Sequence, residues 1–278
     1  MSRLFQTLNM YVLWLVGVIT SFIGFGIVLH FQAVSSYMYW MLECCNLQYN
    51  HIRVLTLITL GILFVSFALH FLFLSKKTKK FITKLNFYRT NCYESNVIEI
   101  FQQKYSVSIQ VIDINQPLAF TYGFIYPKIL VSTSLINLLQ PDELEAVLEH
   151  EHFHCQKRDP FKLSILFSLA RVFSFLPISR MLYERYMMEK EIKADTFAIH
   201  KVGIKAVASA LYKLMINVPS SSFATVHFQN QSIQETNTRI EVLLTGKYKR
   251  PPISLLEWMR SIIHIFFIVY FIGCVSLL

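Results

Sequence analysis

The chain has 278 residues, 54% of them hydrophobic and 15% charged, with a formal charge of +9 and a positive mean hydropathy. Soluble domains carry about 45–50% apolar and about 25% charged residues, so the composition excludes an ordinary soluble enzyme and points to an integral membrane protein. The basic excess does not describe a nucleic-acid surface: "KKTKK" (76–80) and "KYKR" (247–250) each adjoin an apolar run, as cytoplasmic membrane flanks do.

Residues 11–31 contain no charge and are long enough to cross a bilayer, which takes about 20 residues. Only Arg3 precedes them and no small-x-small cleavage pattern follows, so an uncleaved span is expected rather than a signal peptide. Residues 54–75 form a second expected span ending at the lysine cluster, and 255–278 a third. The lysine and arginine bias places loop 32–53 outside and everything from about 76 to 254 on the cytoplasmic side of the membrane. Cys44, Cys45, Cys92, Cys155 and Cys274 show no CxxC spacing and no disulfide framework.

Between the second and third spans the pattern changes. "NVIEIFQQKYSV" reads as a helix, and "SVSIQVID" (106–113) alternates with the period of a half-buried strand. "AFTYG" and "PKILVS" read as two more short strands around Gly123 and Pro127. "PDELEAVLEHEHFHCQKRD" opens with a proline and acidic residues and closes with basic residues before Pro160, which are helix start and stop signals.

On that helix His150 and His154 are four positions apart, roughly 40° around the axis, so both imidazoles leave one face. His152 lies roughly 200° away from each and cannot share a coordination sphere with them. His150, Glu151 and His154 therefore make an HExxH pattern, in which the imidazoles bind zinc and the glutamate acts on water as general base. "ERYMMEKEIKADTFAIH" (184–200) offers Glu191 as third ligand and Asp195, one turn later, as the acceptor that orients His150. Residues 161–179 are apolar enough to resemble a span. A single crossing would part Glu191 from the histidines, and the 36 residues between His154 and Glu191 are too few for two crossings of about 20 each. That stretch is expected in the membrane interface or packed under the domain.

These residues carry a family resemblance. "AFTYGFIYPKILVSTSLINLLQPDELEAVLEHEHFHCQKRDP", with Gly123, Pro127, the HExxH and the following Arg158–Asp159, resembles the membrane metalloproteases of the BlaR/MecR signal-transducer type. "EIKAD" and "TRIEVLL" match later segments, so the likeness covers roughly residues 100–245. A broader likeness reaches the HtpX and CAAX-protease groups.

The resemblance implies a gluzincin site with one zinc ion on His150, His154 and Glu191, and Glu151 as base and proton shuttle. It implies a strand, 128–132 or 117–121, that offers an edge to an extended substrate. Arg239 and His227 are candidates for stabilising the oxyanion, with an anchoring salt bridge or a surface position as the plainer roles. The family's antibiotic sensors carry four spans and an external penicillin-binding domain. This sequence shows three spans and ends at Leu278, so a signal is expected through loop 32–53, the membrane or a partner sensor protein.

The fold expected is membrane α+β: two spans within 1–80, a cytoplasmic zincin-like domain of helices and a small sheet over 81–254, and a C-terminal span from 255 to 278. The function expected is a zinc endopeptidase cutting a protein or peptide, a BlaI-like transcriptional repressor being the family's substrate, with no direct nucleic-acid partner and a dimer left open. HtpX-like quality control or peptide processing is a second enzymatic reading, and a non-catalytic receptor or scaffold is a third. The retained base Glu151 speaks against the last.

Overall fold

The computed structural model describes residues 49–90, 95–217, 233–248 and 254–275. The expected span 11–31, residues 32–48 of the expected loop 32–53, Cys92 and His227 lie outside them, while residues 49–53 of that loop belong to the first described helix. The elements in order are α1 (Tyr49–Asn86), α2 (Asn96–Tyr105), β1 (Ile109–Ile112), β2 (Ala119–Tyr122), β3 (Lys128–Ser132), α3 (Thr133–Leu138) and α4 (Pro141–Lys157). They are followed by α5 (Asp159–Val172), α6 (Pro177–Val202), α7 (Ile204–Asn217), α8 (Ile233–Thr245) and α9 (Leu255–Val275).

Helix α1 does not stop at the lysine cluster. It runs through it to Asn86, because lysine is a good helix former and nothing before "NFYRT" breaks the hydrogen-bond ladder. It is long and apolar enough to cross a membrane, and large apolar side chains such as Leu57, Ile62 and Phe64 are more than half exposed along it. The apolar stretch 161–179 is two helices rather than one. Pro177, with no N–H to donate, opens α6 and disfavours helix in the residue before it, so α5 ends at Val172.

The described residues fall into two compact units. The first comprises residues up to 70, 168–186 and 254–275. Within it His70 Nδ1 lies 3.2 Å from Ser168 Oγ, and the backbone N–H of Ile178 donates to Ser261 Oγ at 3.2 Å. Leu176, Ile178 and Tyr186 are its buried apolar centre.

The second unit comprises 71–167 and 187–248, less the stretches not described. Its sheet has the order β1-β3-β2, β3 pairing parallel with β1 and antiparallel with β2. Strand 128–132 is therefore the centre of the sheet, which corrects its reading as an edge. Ile129 and Val131 of β3 pack with Ile98 and Phe101 of α2 and Leu144 and Leu148 of α4. Leu130, pointing the other way, packs with Leu85, Ile112, Leu118 and Phe120. A strand covered on both faces reads as a continuous apolar run, and "ILV" does.

The parity of β2 follows from one bond. Ser132 N–H donates to Leu118 O at 2.9 Å, so alternation along an antiparallel pair turns the backbone groups of Phe120 and Tyr122 toward β3 and those of Ala119 and Thr121 outward. That outer side of β2 has no strand partner among the described residues, whereas β1 carries a bridge from Arg89 to Ile112.

Candidate metal centre

Helix α4 starts cleanly. Pro141 occupies its first turn, and the backbone N–H of Gln140 donates to Glu143 Oε2 at 2.8 Å. The helix ends at Arg158, whose left-handed backbone (φ 52°) lets its N–H reach back to Cys155 O at 3.1 Å. This turn brings Asp159, buried to 1% exposure, back beside His154.

The rings of His150 and His154 meet nearly at right angles across one turn of α4, their Nε2 atoms 3.2 Å apart. Glu191 comes from the neighbouring α6, with Oε2 3.2 Å from His150 Nε2 and Oε1 3.6 Å from His154 Nε2. The outer nitrogens are each held by a carboxylate: His150 Nδ1 lies 2.9 Å from Asp195 Oδ1, and His154 Nδ1 lies 2.7 Å from Asp159 Oδ2. A carboxylate accepts, so each Nδ1 carries a proton and each Nε2, once free of any proton of its own, offers its lone pair inward.

Two imidazole nitrogens and a carboxylate oxygen thus converge within 4.8 Å of one another in a buried setting. That donor set fits a divalent cation of borderline softness, and three protein ligands leave a position for a reactant.

The electrostatics agree. Burial alone would lower His150, but hydrogen bonds to Asp195 and Glu191 raise it to about 9. Burial and Lys190 oppose protonation of His154, yet Glu191 and Asp159 leave it raised. Burial would raise Glu191, but the Lys190 ammonium and His154 hold it well below the usual carboxylate range. Asp195 also stays ionised against its burial, held so by Arg239 and His150. The site is built to hold positive charge between its carboxylates.

Glu151 sits on the side of α4 that meets β2. The Thr121 hydroxyl lies 2.8 Å from its backbone oxygen and 2.9 Å from Oε2, and donates there. Arg239, from α8, closes on Asp195 with Nε 2.7 Å from Oδ2 and Nη2 2.6 Å from Oδ1, while its Nη1 lies 3.5 Å from Glu191 Oε2. The guanidinium is buried and engaged by Asp195. His152 packs against the Tyr105 ring at 4.4 Å on another face of α4, with Gln156 Nε2 2.8 Å from its Nε2. The Cys155 thiol is pushed up to about 12 by burial and stays protonated.

Three residues of this constellation carry no role in the sequence reading. Asp159 was visible as part of the Arg158–Asp159 pair, but only the left-handed turn at Arg158 shows that it meets His154. Lys190, buried against Glu191, looks in sequence like one charge of a solvated face. Thr121 is marked only by lying on the strand before Gly123.

The family model for peptidase family M48 matches residues 89–222, which hold both histidines, Glu151 and Glu191. The regulatory protein BlaR1 of Staphylococcus aureus is 25% identical over 148 residues, covering 50% of this chain and 25% of that protein. The chain thus matches about a quarter of that relative's length. Among solved structures, S. mikatae Ste24p aligns with 87% of this chain and 66% of its own, at a TM-score of 0.42 and 16% identity.

Proposed function

We propose, from a chain whose residues 89–222 match the model of peptidase family M48, an integral-membrane, zinc-dependent endopeptidase that cleaves a polypeptide at the cytoplasmic face. The observation that carries this reading is the convergence of His150, His154 and Glu191, with Glu151 next to them beside an open strand edge.

His150, His154 and Glu191 would hold the ion, and when bound it supplies Lewis acidity toward a peptide carbonyl and acidifies a water. Asp195 and Asp159 keep both rings in the tautomer that ligates. Thr121 engages Glu151 Oε2, so Oε1 is the oxygen that takes the water's proton and later delivers it to the leaving amine. The outward backbone groups of Ala119 and Thr121 pair with an extended substrate and lay its scissile bond beside Glu151. Arg239 positions Asp195. His227 remains a proposed stabiliser of the oxyanion.

The relation to a protein named as regulatory supports a signalling substrate, and a BlaI-like repressor is the form that the family resemblance proposes. The orientation rests on the lysines at 76–80, which follow the apolar part of α1. The spans 11–31 and 255–278 complete the proposed architecture, and a partner sensor protein or a second copy would bring the signal.

Proteomics of cells expressing wild type against Glu151→Gln, with zinc measured on both purified proteins, tests the reading. Peptides produced only by the wild type, with equal zinc in both, support it. Equal peptide profiles with equal zinc favour a metal-bound scaffold, and absence of zinc from both removes the metal assignment.

A further inference from the structure

The hairpin between β2 and β3 carries "GFIYP", with an apolar tip. Its shape is fixed. Gly123 has φ +96°, and a Cβ there would lie 2.7 Å from the carbonyl oxygen of Tyr126, so the turn closes tightly because residue 123 has no side chain. Phe124 turns inward and stacks on Phe71 of α1, ring centroids 5.9 Å apart. Phe161 of α5 completes a three-ring cluster, 5.9 Å from Phe124 and 6.4 Å from Phe71. Beyond that cluster, Ile125 is 67% exposed and Tyr126 82% exposed.

The position of Phe71 decides what covers them. It lies in the apolar part of α1 five residues before Lys76, where exposed Leu72 and Phe73 give way to exposed Lys76, Lys77, Lys79 and Lys80. In a membrane-crossing helix that change from apolar to lysine marks the lipid–water boundary. The hairpin tip, held by ring stacking to this level of α1, therefore stands at the same boundary. Its composition suits that depth: an isoleucine, a tyrosine with its amphipathic ring, and the exposed Lys128 at the start of β3 to meet anionic headgroups.

We propose that the β2–β3 tip, through Ile125 and Tyr126, inserts into the interfacial layer of the membrane, and that the domain therefore acts on polypeptide segments presented at the membrane surface. The second half rests on the proposed protease function. Thr121, which touches Glu151, is four residues from Ile125, at most about 13 Å along an extended strand. A substrate paired with the outer side of β2 thus lies close beneath the headgroups, as the stretch next to a transmembrane helix or lipid anchor would.

The test uses the full chain in vesicles of phosphatidylethanolamine and phosphatidylglycerol, with an environment-sensitive prodan side chain encoded at 125 or, as control, at Asp142. Asp142 opens α4, at the end of that helix remote from Phe161, roughly 24 Å from Arg158 at 1.5 Å per residue. The expected result is blue-shifted emission at 125 that lipids brominated in the upper acyl chain quench, with a water-like, unquenched signal at 142. A water-like signal at 125 overturns the insertion, whatever the enzyme does.

The substrate half is read by the double variant Ile125→Ser, Tyr126→Ser. Its hydrolysis of soluble labelled casein should equal that of the wild type, and its cleavage of the same casein sequence tethered to the vesicle by a lipid anchor should fall several-fold. Equal cleavage of tethered casein by both proteins overturns the membrane-surface substrate. Should Glu151→Gln match the wild type on both caseins, the protease reading fails and takes the substrate half with it, while the fluorescence still decides the insertion.

Discussion

Thr121 on β2 and Glu151 on α4 are joined by one hydroxyl, which lies within 2.9 Å of both the backbone oxygen and Oε2 of the glutamate. The same residue turns its backbone N–H and C=O to the open side of the strand. A substrate that pairs there would meet, in one residue, its docking partner and the group that orients the proposed base.

Thr121→Val keeps the shape and removes the donor. A hydrogen bond to a charged group contributes roughly 1.5–3 kcal/mol, and losing it where the transition state needs it costs about tenfold or more in kcat. KM should stay close to that of the wild type, since the outward backbone groups survive, and Thr121→Ser should recover most of the rate. Steady-state cleavage of labelled casein by the three proteins checks this. An equal loss in Thr121→Ser would mean that packing of the methyl group, and not the hydroxyl, matters.

Asp195 works between two charges, accepting from His150 Nδ1 and from the Arg239 guanidinium. Asp195→Ala should weaken zinc binding about 10- to 100-fold, as losses of such orienting carboxylates do. It should also destabilise the metal-free protein by about 3–5 kcal/mol, because Arg239, 6% exposed, loses its principal partner. Adding Arg239→Met should restore much of the stability and none of the zinc affinity. Chelator competition and thermal unfolding in detergent separate the two effects, and recovery of both together would assign Asp195 a purely structural role.

The parts of this site that follow from local periodicity were legible. The i, i+4 spacing of His150 and His154, the exclusion of His152, and the pairing of Glu191 with Asp195 one turn later need only helix geometry. What needed the fold was anything decided by long-range pairing. Whether 128–132 or the strand before it forms the edge depends on sheet order, and no residue of "KILVS" announces two neighbours except its buried run. Lys162, Arg171 and Pro177 speak in sequence against a span over 161–179, but only the fold shows that the helix ends at Val172 and a second one opens at Pro177. Asp159 escaped because a left-handed arginine is not a sequence signal.

Metal binding should depend on pH in a definite direction. In the metal-free site His150 is raised to about 9, against about 6.5 in an unfolded chain. Its proton therefore stabilises the metal-free fold fully below about 6.5, and that contribution is lost as pH rises through 9. The ion needs the same Nε2 lone pair and must displace the proton, so apparent zinc affinity should fall as pH drops below about 9. Over this range the unfolding temperature of stripped protein should decline with rising pH, while the increment given by zinc should grow. Calorimetry in buffers of different ionisation enthalpy should register proton release on binding. A zinc increment that is flat with pH would show that His150 is already neutral in the metal-free protein.

Gly123 and Gly203 have nearly the same backbone, φ +96° and +93°, and differ in what surrounds them. A Cβ at 203 meets nothing within 4 Å, so Gly203→Ala should carry only the conformational cost of a positive φ, roughly 1–2 kcal/mol. At 123 the new atom would stand 2.7 Å from the Tyr126 carbonyl oxygen, which belongs to backbone and cannot rotate away. Gly123→Ala should therefore cost distinctly more, and the excess should appear as a reopened hairpin. Thr121, two residues earlier on the same strand, would be carried with it, so casein cleavage should fall in Gly123→Ala and remain near wild type in Gly203→Ala. Urea unfolding and cleavage measured on both variants check the pair. Equal destabilisation with equal activity would mean that the turn relaxes without disturbing β2, and that the hairpin's shape is not what sets the edge strand against Glu151.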